Sequence, residues 1–150
     1  MCDYLVEQAE VLIRNPVRNL IVPKRPRRLP TFLEFEDLTR LLEAATTPLD
    51  RAIVTVFALT GLRRSELLAL EVPDVDLVRS TVHVRDGKGG REALLPLHPL
   101  AVDALRQYLP TRRRGSGRAL FPGAARWRGR PSPRMSVHAL RTLLHRVAQR

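Results

Sequence analysis

The chain has 150 residues, 44% of them hydrophobic, with a formal net charge of +11 from 26 Lys and Arg against 15 Asp and Glu. That length suits one domain with a real core, and the apolar content excludes global disorder. Cys2 is the only cysteine, which excludes an internal disulfide and a cysteine-built zinc site, while no stretch reaches the roughly 18 uninterrupted apolar residues of a membrane helix.

The N-terminus, Met1-Cys2-Asp3-Tyr4, lacks the basic start of a secretory leader, so a reducing, cytoplasmic setting without membrane contact is expected. A basic excess of this size points to a polyanionic partner, first of all nucleic acid. Only Lys24 and Lys88 are lysine; the other 24 basic residues are arginine. Arg-rich codon usage explains arginine over lysine but not the excess over acids.

Residues 4–14 carry Leu5, Val6, Ala9, Leu12 and Ile13 at helical spacing, which predicts a short amphipathic helix, stopped by Asn15-Pro16. From Pro16 to Pro30 the chain reads as a linker. Pro23 and Pro26 stiffen it, and Arg18, Lys24, Arg25, Arg27 and Arg28 charge it with no acid between them. Such a strap suits a DNA backbone; it equally suits a solvated linker. Phe35 to Ala45 is predicted helical, and Thr31-x-x-Glu34 is a candidate capping box that would start it earlier. Leu49 to Leu59 contains the uncharged run Ala52–Leu59, predicted to be a helix buried on most sides. Thr60-Gly61 ends it.

Arg63 follows immediately, with Glu66 three residues on. Glu66 can hold the guanidinium from one side, and the remaining fork would suit a phosphate. The plainer reading is a structural ion pair. Ser65 to Leu70 continues as a short helix. Residues 81–85 and 91–97 alternate apolar and polar about Asp86-Gly87-Lys88-Gly89-Gly90, which predicts a β-hairpin, with Leu70-Glu71-Val72 as a third strand. Pro99 to Leu109 is helical, Arg112-Arg113-Arg114-Gly115-Ser116-Gly117-Arg118 is a basic loop, and a Gly/Pro/Arg-rich loop runs on to Pro133. Ser136 to Arg150 is a last amphipathic helix.

The order of these parts is distinctive. Thr60-Gly61-Leu62-Arg63-x-Ser65-Glu66-Leu67 closes a buried helix. A hairpin with Gly87-Lys88-Gly89 at its turn follows, with Lys88 25 residues after Arg63, and then Leu94-Leu95-Pro96-Leu97. This pattern resembles the first half of the catalytic domain of the tyrosine recombinase (phage integrase) family. Asn15-Pro16, Pro23-Lys24 and Leu29-Pro30-x-x-Leu33 resemble the family's junction between its DNA-embracing and catalytic domains. The resemblance implies residues 1–22 as the end of the first domain and 23–150 as part of the second. It implies a mainly α fold with a small three-stranded antiparallel sheet (α+β).

Site-specific cutting and rejoining of double-stranded DNA is the activity the resemblance implies, by a chain associated with the nucleoid and with other recombinase protomers. Arg63 would grip the scissile phosphate and Lys88 would protonate the leaving 5′ oxygen, braced by Ser65 and Glu66. Lys24, Arg25, Arg27, Arg28, Arg64 and Arg91 would contact DNA. A solvated turn lysine is the plainer reading of Lys88.

In the family a His-x-x-Arg helix and a nucleophilic tyrosine come well after the hairpin. His138-Ala139-Leu140-Arg141 looks like that motif but follows the hairpin too closely. Tyr4 and Tyr108 stand where packing is expected, so no nucleophile is assigned. The expectation is a middle slice of a recombinase that binds DNA and does not turn over alone; the alternative is a non-catalytic DNA-binding regulatory module. No cofactor and no metal is expected.

Overall fold

The chain divides into two units, Met1–Phe32 and Leu33–Arg150. The computed structural model describes residues 32–85, 92–112, 117–123 and 134–150, and the backbone of 126–127 and 130–131. The expected N-terminal helix, the basic strap and the domain boundary after residue 22 lie outside the described residues.

Helix α1 (Phe35–Ala44) begins where Glu34 takes an extended conformation, and no side chain caps it. Thr31, the expected cap, lies outside the described residues, and α1 does not start earlier than Phe35. Helix α2 (Pro48–Thr60) has Thr47 as its cap, accepting from the Asp50 N–H, and Pro48 in its first turn, where the missing N–H costs nothing. The first five residues of its uncharged run are buried as expected, Ala52, Ile53, Val54 and Val56 being at most 1% exposed, whereas Phe57 and Leu59 are half-buried and Ala58 is exposed. Ile53, Val54 and Val56 each contribute roughly 1.5–3 kcal/mol by leaving water. Helix α3 (Arg64–Ala69) adds Leu67 and Leu68 to the same core.

The sheet is antiparallel with three strands in the order β1 (Val75–Asp76), β2 (Thr81–Val84), β3 (Ala93–Pro96). Strands β2 and β3 form the expected hairpin, with Thr81 opposite Pro96 and Val84 opposite Ala93. Its turn, residues 86–91, lies outside the described residues. Val82 and Val84 point into the core, as the two-residue period of a strand requires. β3 is the outer strand, and among the described residues no strand pairs with its far side.

The expected third strand is displaced. Leu70–Val72 does not join this sheet: Leu70 O accepts from the Leu120 N–H and the Val72 N–H donates to Arg118 O, at 2.8 Å each. Val72-Pro73-Asp74 then makes a 3-10 turn, closed by the Asp74 carboxylate accepting from the Glu71 N–H at 2.8 Å. Pro73 has no donor to give a ladder, so pairing with β2 resumes only at Val75.

Helix α4 (Pro99–Tyr108) is capped by His98, whose ring nitrogen accepts from the Leu100 N–H, and it packs on α2. A 3-10 turn (Leu109–Thr111) follows. The expected Gly/Pro/Arg-rich loop contains a two-residue ribbon, β4 (Arg126–Trp127) against β5 (Arg130–Pro131). Helix α5 (Val137–Ala148), capped by Ser136, buries Leu140, Leu143 and Val147 and packs on α1, α2 and α3. No helix of the described residues is long and apolar enough to cross a membrane.

Candidate nucleic-acid interface

Gly61 ends α2 with φ 65°, a left-handed conformation that disfavours a β-carbon. A β-carbon there would meet no atom within 4 Å, so the requirement is one of backbone angle and not of space. This turn delivers Leu62 into the core, at 4% exposure, and Arg63 onto the surface as the cap of α3.

Arginine has no acceptor, so it supplies only the reverse half of a capping box: the Arg63 N–H donates to Glu66 Oε2 at 2.7 Å. Its guanidinium donates through Nη1 to the other oxygen, also at 2.7 Å. The two bonds hold the Glu66 carboxyl below its ordinary range, the backbone N–H contributing most and the guanidinium next. The Glu66 side chain is 10% exposed and that of Arg63 57%. Arg63 is therefore fixed at its root and open at its tip. Arg64 and Ser65 are exposed beside it.

A cleft of about 120 Å³ runs from Glu66 to Glu71 and Asp74, with His83, Arg85 and Arg134 on its walls. Glu71 and Asp74 gather cations from distant segments. Arg85 lies 3.5 Å from Glu71 and 2.5 Å from Asp74. Arg118 and Arg134 reach Glu71 at 3.2 and 3.0 Å. The sequence reading missed these arginines; nothing in chain order tells which of 24 will meet a given acid. His83 also faces Glu92 at 3.2 Å across the hairpin.

Of the predicted site residues, the structure brings Arg63, Arg64, Ser65 and Glu66 together on one turn. Lys88, Arg91, Lys24, Arg25, Arg27 and Arg28 lie outside the described residues. Tyr108 is 3% exposed, and its hydroxyl donates to Leu120 O at 3.0 Å. Burial pushes its phenol up, with Arg112 opposing. His138, Arg141 and His145 lie on the outer face of α5, in a shallow hollow with Thr142 and Arg146. Among the described residues no group of three or more His, Cys, Asp or Glu is arranged to hold a metal ion.

Residues 31–150 match the phage integrase family. The chain belongs to that family. Relatives and solved structures agree on tyrosine recombinases. Tyrosine recombinase XerC of Pelobacter propionicus is 39% identical over 129 residues, 83% of this chain and 42% of its own length. The crystal structure of XerA recombinase superposes with a TM-score of 0.71 at 32% identity, covering 88% of this chain and 46% of that one. The Tn1549 transposon integrase, solved in complex with circular intermediate DNA, shares the fold with a TM-score of 0.57 at 17% identity, covering 97% and 52%. The chain spans less than half the length of these curated relatives that it matches.

Proposed function

We propose that this integrase-family chain binds double-stranded DNA and carries the phosphate-gripping part of a strand-exchange centre. The observation that carries the reading is Arg63: rooted by two bonds to Glu66, yet with 57% of its side chain in solvent. A guanidinium in that state is positioned in advance for the non-bridging oxygens of a phosphate and for the charge that grows on them during transfer. Lys88 is the proposed proton donor to the leaving 5′ oxygen, a role that suits an ammonium better than a guanidinium. Arg64, Arg91 and the basic residues Lys24, Arg25, Arg27 and Arg28 add backbone contacts, and +11 net charge draws the duplex in.

Cutting also needs an oxygen nucleophile to attack phosphorus. Tyr108 is unsuited: its hydroxyl is buried and already donating to Leu120. Tyr108 is therefore proposed not to be the nucleophile; with Tyr4 outside the described residues, the proposal is that these residues bind and grip, the attacking tyrosine reaching the centre from elsewhere, another recombinase protomer included. The same burial of Tyr108 favours a second reading, a DNA-binding module that keeps the fold in a purely regulatory role.

Duplex binding measured across a salt series tests both. A steep loss of affinity with salt is expected, with no covalent protein–DNA adduct under denaturing conditions. Arg63→Ala with Lys88→Ala should weaken binding. Binding indifferent to both substitutions overturns the phosphate-grip reading, and marked sequence selectivity that survives them favours the regulatory one. A covalent adduct would show that a tyrosine of this chain can attack after all.

A further inference from the structure

Glu71 is an unusual residue for the surface of so basic a chain. Its side chain is only 17% exposed, and three arginines from three separate segments converge on it: Arg85 at the end of β2, Arg118 closing the basic loop, and Arg134 ahead of α5. Asp74, 3% exposed, shares Arg85. Among the described residues three positive charges thus face two negative ones. The donors are in larger excess, since a carboxylate offers about four lone-pair sites and each guanidinium about five N–H groups. The arginines are also far more accessible than the acids, at 47%, 72% and 45%. One buried and one half-buried carboxylate under a layer of exposed guanidiniums form a platform, with the acids setting the spacing and the cations facing out.

We propose that Arg85, Arg118 and Arg134 form a second phosphate-binding surface, which takes DNA backbone phosphates flanking the one at Arg63. The cleft joining Glu66 to Glu71 makes the two surfaces neighbours. The proposal rests on the DNA-binding reading above but not on any role in cutting. Glu71 has a double part in it: it holds the arginines together and competes with the phosphate for them.

That double part gives opposite signs to two substitutions. In a salt series with a short duplex, Arg118→Gln together with Arg134→Gln should weaken binding and reduce the slope of log affinity against log salt by about two, near 0.9 for each phosphate no longer neutralised. Glu71→Gln should tighten binding, because the amide keeps one acceptor oxygen, drops the competing charge and frees guanidinium donors for phosphate. Arg118→Gln alone, at a 72% exposed side chain, leaves the fold least disturbed and should remove about one unit of slope. Equal thermal midpoints of the variants certify the comparison. An unchanged slope in the arginine variants, or weaker binding by Glu71→Gln, overturns the proposal and makes the arginines structural ties. If the arginine variants are silent while Arg63→Ala with Lys88→Ala weakens binding, this surface alone falls. A chain that binds no duplex at all removes both.

Discussion

Arg63 and Glu66 show how much one turn of backbone can arrange. The acid accepts from the peptide N–H and from the guanidinium of the same residue, so the ion pair is also the start of α3. Because its carboxyl is held below the ordinary range, Glu66 favours the folded state when ionised. That contribution is complete above the unfolded carboxyl value of about 4.3 and disappears as pH falls through the lower folded value. Glu66→Gln should therefore unfold at a lower temperature than the parent at neutral pH, and the gap should close on acidification below about pH 4. Thermal midpoints over a pH series check this; a gap that persists unchanged into strong acid would deny the pairing its role. The pair was legible in the sequence because three-residue spacing on a helix brings side chains together. The exposure of Arg63 was not, since it depends on where Gly61 turns the chain.

At the scale of elements, periodicity carried most of the information. The uncharged run became α2, and the apolar faces of α1, α4 and α5 lie against it. Alternation gave β2 and β3. Leu70-Glu71-Val72 misled because its composition suits a strand while its pairing partner, Arg118–Leu120, is set by the tertiary fold. The β4–β5 ribbon has no apolar alternation to announce it. Ties between distant elements were equally silent. Asp50, with no exposed surface, accepts from Arg146 Nη2 at 2.7 Å and lies 3.6 Å from Arg150 Nη1, which fixes the end of α5 to the start of α2. Arg146→Ala should leave the buried carboxylate poorly satisfied and cost about 1–3 kcal/mol, measured by denaturant unfolding. Adding Asp50→Asn should recover part of that loss, because no bare charge is then buried. A double variant less stable than the single one would contradict the account.

On the scale of the whole molecule, charge and architecture divide the labour. The core of α2, α4, α5 and the sheet is built from apolar residues, and the arginines among the described residues are exposed, with Arg112 half-buried. The family was readable from a few residues in fixed order, but the platform around Glu71 required coordinates. Strand β3 has a further consequence for handling the protein in solution. The Leu97 N–H donates to Ser80 O, so by the alternation of a strand the amide positions of Leu94 and Pro96 face the open margin of the sheet. Leu94 is 66% exposed there, a ready template for a strand of another molecule. Proline has no hydrogen on nitrogen, so one rung of that ladder is missing. Pro96→Val would restore the rung, and light scattering of concentrated samples should then show faster self-association into β-rich aggregates than the parent chain gives.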